Sequence, residues 1–249
     1  MQTLIEFTHR MMSAVALLTV SCLWIWTRLG VPRRQLTRYA ATAAAVFMVN
    51  EAALGASLVL FEHVAQDKSV ARALWLPLHS ANTLLLLGTI ALVAFWASKP
   101  SCSLVPSRSY ATSIGALLLF VVVGITGAVS ALGDTLFPAS SLTTSIAQDF
   151  SSSSYYLLRL RISHPVIALV TVINLAWVVA SGLQSPGKVL RRLIMIVAFV
   201  VFLQLMLGTL NVVPLAPVWL QIVHLFMADV LWITIVLLVA ESLTKATEQ

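Results

Sequence analysis

Five histidines are spread over the 249-residue sequence, and four of them share a setting. His9, His79, His164 and His224 each fall near the start of a long apolar stretch. A neutral imidazole there can ligate a metal, and in particular can serve as an axial ligand to heme iron. Glu6 stands three residues before His9, so the carboxylate and the imidazole share a helix face. A carboxylate in that place can hydrogen-bond the imidazole or move protons. It can equally cap a helix N-terminus, where the dipole favours it. Arg10 follows His9, and Arg161 lies one turn before His164. Guanidinium groups pair with carboxylates such as heme propionates, or snorkel to lipid headgroups. His63 stands apart and reads as a solvated loop residue.

The elements that must position these groups are membrane spans. Hydrophobic residues make up 59% of the chain and charged residues 10%, and mean hydropathy is +0.96. That balance excludes a cytosolic enzyme, a disordered tail and a nucleic-acid-binding domain. The net charge of +6 does not alter this, because the basic residues lie in loops between apolar runs. A span needs about 20 mostly apolar residues. Seven runs qualify, at 5–27, 39–61, 73–97, 110–132, 157–181, 191–213 and 216–240. They are continuously apolar rather than alternating, which argues for helices over a β-barrel. The first run lacks a cleavage site and its basic cluster follows it, so it reads as a span rather than a signal peptide.

Lys and Arg mark the cytoplasmic side. With the N-terminus outside, the inner loops hold ten: Arg28, Arg33, Arg34, Arg38, Lys99, Arg108, Lys188, Arg191, Arg192 and Lys245. The outer side holds five: Arg10, Lys68, Arg72, Arg159 and Arg161. This predicts a multi-pass protein of the cytoplasmic membrane, N-terminus outside and C-terminus cytoplasmic. The external loop at 133–156 is the longest, and is either disordered or a small cap over a site. Cys22 and Cys102 suffice for neither a disulfide framework nor a metal motif.

In this orientation the four histidines sit at matched depth in the outer half of the membrane, on helices of the same direction. Two facing helices with one histidine each can clamp a heme, and four histidines make two such sites. The plain alternative is hydrogen bonding between helices. Zinc competes as the metal, with Glu6 as a further ligand, though no HExxH pair or cysteine cluster is present. Asn82 and Gln221, each one turn from a histidine, read as interhelical bonds. Glu51 and Asp229 lie deeper and serve either proton relay or structural bonding. Most tryptophans, Trp232 among them, read as interface anchors or packing residues.

An internal repeat orders these features. IEFTHRMMSAVALLTV around His9 aligns with LRISHPVIALVTVINL around His164. NEAALGAS from Asn50 aligns loosely with LQLMLGTL from Leu203, and LWLPLHSANTLLL around His79 with VWLQIVHLFMADV around His224. Each half thus reads histidine helix, plain helix, histidine helix. The second half also has a leading helix and an external loop, which the first half lacks.

Four cues carry a resemblance to a known family. They are Glu6-Phe7-Thr8-His9-Arg10, which matches an ExxHR signature, Leu78-His79, Leu160-Arg161-Ile162-Ser163-His164-Pro165, and the run LGTLNVVPLAPVWLQIVHLFMADVLW at 207–232. Together they resemble heme A synthase, the membrane enzyme that oxidises heme O to heme A for cytochrome oxidase. The resemblance implies an all-α polytopic membrane protein of two pseudo-repeated helical bundles. The halves are residues 1–105, with three helices and the substrate heme site, and 106–249, with four helices and a b-type heme site. It implies that His164 and His224 ligate heme b, with Arg161 beside them. It implies that His9, His79 and Arg10 form the site for heme O, and that Glu6 is the catalytic acid. All four histidines would be axial ligands to heme iron. Implied partners are the lipid bilayer, the heme O synthase (a farnesyltransferase), cytochrome oxidase and a separate electron donor. Against the family's eight helices, one helix of the first half is missing. The cysteine pairs many members carry in external loops are absent too. Two other readings use the same histidines: a di-heme b-type cytochrome that needs no Glu6, and a heme-binding or transport protein.

Overall fold

The computed structural model describes residues 2–33, 35–63, 67–99, 102–104, 110–182 and 187–246, without the side chains of 2–6, 110, 181–182 and 245–246. The chain is helical and multi-pass, with seven helical stretches long and apolar enough to cross a membrane. Six of these are single helices: α1 (Gln2–Gly30), α2 (Leu36–Leu60), α3 (Val70–Ala97), α4 (Tyr110–Leu136), α8 (Lys188–Val212) and α9 (Val218–Leu243). The remaining span joins the short α6 (Tyr156–Leu160) to α7 (Ser163–Gly182) across a turn. All seven coincide with the runs expected from hydropathy, because in lipid only helices satisfy a continuous apolar backbone.

The loop at 133–156 is folded over its length. It contains α5 (Leu142–Phe150), whose N-cap Ser141 accepts a hydrogen bond from the Thr144 amide. α4 runs on to Leu136, a turn beyond the apolar run, and Asp134 in that last turn is held by Arg161.

The packing order explains the architecture. α1 lies on α2 and α2 on α3; α3 then meets α4 and α9, α4 takes α6 and α7, and α9 takes α8. Ala40, Ala41 and Ala44 on α2 are all buried, and their small side chains let neighbouring backbones approach. The main core joins Leu84 of α3, Phe120 of α4, Leu175 of α7, Val197 of α8 and Ile235 of α9. Trp232 is its centre, 3% exposed. Its indole stacks on Phe120 at 5.5 Å and donates Nε1–H to the Leu84 carbonyl at 2.5 Å. Gly88 leaves the room, since a Cβ there would lie 3.1 Å from that nitrogen. Trp232 is therefore a core residue linking three helices rather than an interface anchor.

Two short segments, β1 (Cys102–Leu104) and β2 (Thr244–Ala246), pair antiparallel, Cys102 opposite Ala246 and Leu104 opposite Thr244. They follow the third and the seventh span. Both spans therefore end on the same face of the membrane, as an even separation of passes requires. The Lys99–Glu241 ion pair ties the same two helix ends.

Candidate functional site

The His164 and His224 side chains come together. α6 and α7 meet at a turn in which the His164 amide donates to the Arg161 carbonyl at 3.2 Å, and this places His164 at the head of α7. His224 lies in the second turn of α9, whose N-cap is Pro217. The two imidazole rings face each other edge to face, 6.5 Å between centroids and 89° between planes. Each ring is seated against a glycine of a neighbouring helix. A Cβ on Gly127 of α4 would stand 3.1 Å from His164 Cε1, and one on Gly208 of α8 would stand 3.3 Å from His224 Cε1. Around them, Thr126 Oγ1 is 3.4 Å from His164 Nδ1. Gln204 Nε2 is 3.4 Å from His224 Nε2 and donates to the His224 carbonyl at 3.2 Å. His224 Nδ1 and Gln204 Oε1 are buried without a hydrogen-bond partner.

Two buried imidazoles brought this close together, with one nitrogen of His224 left without a partner, are a donor set that would fit a heme iron. Buried polar atoms left without a partner are costly, and engaging an imidazole nitrogen removes that cost. Among the described residues no three His, Cys, Asp or Glu side chains converge. Two opposed imidazoles are a donor set suited to heme rather than to tetrahedral zinc.

Arg161 does not snorkel. Its side chain is 7% exposed and grips two carboxylates, Nη1 to Asp134 Oδ1 at 2.6 Å and Nη2 to Asp149 Oδ1 at 2.7 Å. It also donates from Nη2 to the Ser145 carbonyl at 3.1 Å. These contacts bind α4, α5 and the α6–α7 turn together one helical turn from His164.

In the first half His79 of α3 has a comparable seat. A Cβ on Gly55 of α2 would lie 3.6 Å from His79 Cε1. Glu51 Oε2 is 3.6 Å from His79 Nδ1, which is buried without a hydrogen-bond partner. Asn82 makes the expected interhelical bonds, to Glu51 Oε2 at 2.6 Å and to the Phe47 carbonyl at 2.8 Å. Gln221 does not, because its Nε2 donates within its own segment to Ala216 at 2.5 Å. His9 and Arg10 lie in the N-terminal half of α1, where every residue from 7 to 19 is exposed. No hydrogen bond or ring contact joins His9 to His79 among the described residues. The physical reason is packing: α7 is covered by α4, which carries Gly127, whereas α1 packs chiefly on α2. The Glu6 side chain lies outside the described residues. His63 is not free in solvent; its Nδ1 lies 3.0 Å from Asp67 Oδ2.

Sequence reasoning missed five residues. Gly127 has no analogue in the first half, so the repeat did not point to it. Asp134, in the last turn of α4, and Asp149, on α5, share Arg161 only once α5 folds back. Leu215 and Ala216, at φ 62° and 54°, form a strained left-handed turn just before α9, with no glycine to announce it.

The family model for "Cytochrome oxidase assembly protein" matches residues 1–236. Two curated relatives, each called protoheme IX farnesyltransferase, come from two strains of Thermus thermophilus. Each is 38% identical over 257 residues, a match that takes in 100% of this chain and 41% of the relative. The chain thus spans about two fifths of the length of the curated relatives it matches. By the family match over nearly its whole length, the chain belongs to the cytochrome oxidase assembly protein family, that of the heme A synthases it resembles in sequence.

Proposed function

We propose that this chain is a heme A synthase, an oxidoreductase that converts a methyl group of heme O to a formyl group for use in cytochrome oxidase. The observation that carries the reading is the pair of opposed, glycine-seated imidazoles of His164 and His224. They would hold heme b, which supplies one-electron transfer when bound. His79, His9 and Arg10 would receive heme O in the first half, and Glu6 would handle protons beside His9. Turning the methyl into a formyl group is a four-electron oxidation: two hydroxylations, each taking one oxygen atom from an external oxidant such as dioxygen with two electrons from a separate donor and the other oxygen leaving as water, are followed by loss of water from the geminal diol. The chain's own contribution is to orient and to exclude water. Gly127 and Gly208 set the ring positions, while Arg161, through Asp134 and Asp149, keeps α5 docked at the outer end of the site. The relatives' name supports the substrate, because farnesylation of protoheme IX is the step that makes a prenylated heme. Partners on this reading are the lipid bilayer, a heme O synthase and cytochrome oxidase. The membrane is the cytoplasmic one, with the N-terminus outside and the C-terminus inside.

The test is chromatography of heme extracted from detergent-purified protein, beside a reduced-minus-oxidised spectrum. Heme B together with heme O, heme A or a hydroxylated intermediate is the expected result. Glu6→Ala should abolish heme A while leaving the b-type spectrum, and His164→Ala should remove that spectrum. Absence of heme from cells that make enough of it, or full heme A formation by Glu6→Ala, overturns the reading.

A further inference from the structure

The helix that precedes His79 and the helix that precedes His224 repeat one device. On α2, Gly55 seats His79, and Glu51, one turn earlier, faces His79 Nδ1 at 3.6 Å. On α8, Gly208 seats His224, and Gln204, one turn earlier, approaches His224 Nε2 at 3.4 Å. The alignment of NEAALGAS with LQLMLGTL sets Gly55 opposite Gly208 and Glu51 opposite Gln204. Backbone placement and the glycine beside the ring are thus shared by the two halves, although Glu51 faces Nδ1 of its histidine and Gln204 faces Nε2 of its own. The chemical group is not: one half presents a carboxylate, the other an amide.

The carboxylate is held in place from the helix that carries its histidine. Asn82 donates to Oε2 at 2.6 Å and Thr83 to Oε1 at 2.5 Å. Asn82 is further anchored by its bond to the Phe47 carbonyl at 2.8 Å. Glu51 therefore has little freedom to turn away, and His79 Nδ1 has no hydrogen-bond partner to compete with it. Ligating histidines commonly donate their second ring N–H to a carboxylate, which fixes the tautomer and makes the ligating nitrogen a stronger donor. At 3.6 Å the two atoms stand just outside hydrogen-bond distance, within reach of a small side-chain rotation.

We propose that Glu51 is the positioning residue of His79. It accepts the Nδ1–H, leaves Nε2 as the ligating nitrogen, and gives the first half an anionic second layer that Gln204 denies to the second half. The two sites are thereby electronically unequal although their backbones repeat. This rests on the heme reading above. A negative charge beside a ligating histidine favours the oxidised iron, so exchanging the two side chains should move the reduction equilibrium in a direction that packing alone does not dictate.

The experiment uses the full chain purified in detergent, with Glu51→Gln and Gln204→Glu made separately. Both substitutions conserve shape, and in Glu51→Gln the amide oxygen can still accept from Asn82 or Thr83. For Gln204→Glu, the reduction equilibrium of the heme held by His164 and His224 should fall about tenfold, some 59 mV for one electron, with heme content retained. For Glu51→Gln, that equilibrium should not move and thermal stability should hold, while oxidation of supplied heme O falls at least tenfold. A heme-replete Gln204→Glu protein with an unmoved potential, or Glu51→Gln with undiminished turnover, overturns this inference alone. A wild-type protein that holds no heme overturns the proposed function first and this inference with it.

Discussion

Substituting the glycine beneath His164 tests whether the site is built by close approach. In Gly127→Ala the new methyl would stand 3.1 Å from His164 Cε1 and 3.3 Å from Nδ1, so the ring must retreat by a few tenths of an ångström. Gly115, on the same helix, has open space around its missing Cβ. Both changes gain helix propensity of about 1 kcal/mol. Only Gly127→Ala also overpacks, at a cost of about 1 to 3 kcal/mol. Gly115→Ala should therefore stabilise by about 1 kcal/mol and Gly127→Ala destabilise by about 1 kcal/mol. At about 2–4 °C per kcal/mol for a chain of this size, the two differ by about 4–8 °C in Tm. Gly208→Ala, at 3.3 Å, should fall between them, and Gly55→Ala, at 3.6 Å, should behave like Gly115→Ala. Tryptophan-fluorescence melts in one detergent read the stabilities, and the reduced-minus-oxidised spectrum reads retained heme, which Gly127→Ala should lose selectively. If Gly127→Ala matches Gly115→Ala in both Tm and heme content, the close-approach argument is wrong.

Further expectations can be checked on the same preparation. Arg161→Met leaves Asp134 and Asp149 without their shared cation and should cost about 3–5 kcal/mol; adding Asp134→Asn and Asp149→Asn should return much of that loss in the melt. Trp232→Phe removes the Nε1–H donated to Leu84 and part of a stacked core contact, and should cost about 1–2 kcal/mol with the helix content unchanged by circular dichroism. Cys102, beyond the end of α3, should react with a membrane-impermeant maleimide only from the cytoplasmic face; labelling from outside would reverse the proposed orientation. Burial pushes the Cys102 thiol up from its usual range, against a smaller opposing pull from Lys99. The thiolate is the reactive form, so labelling should keep quickening past the pH at which an ordinary cysteine thiol levels off, and a profile that levels off at the ordinary value would refute the shift.

The spans were legible because hydrophobicity over about 20 residues is a local property, and lipid leaves the backbone no alternative to a helix. The position of His79, His164 and His224 near the head of a span was legible too, since it follows from place along the sequence. The repeat exposed Gly55 and Gly208 as a pair. It could not say that both sit beneath an imidazole, because that depends on how α2 and α8 are rotated against their neighbours.

What the sequence determined by itself, then, was the class of the protein, the order of its seven spans and which side chains could act. Tertiary packing decided which of them meet. His164 and His224 face each other because α4 and α8 bring Gly127 and Gly208 close enough to seat both rings. His9 stays exposed because the whole stretch from 7 to 19 of α1 is uncovered, whereas His164 on its counterpart α7 lies against Gly127 of α4. Arg161 became a buried clasp rather than a headgroup anchor only when α5 folded back with Asp149 and α4 extended far enough to offer Asp134. Such pairings join residues far apart in the chain. They are set by helix rotation and contact distance, which no local pattern of residues encodes.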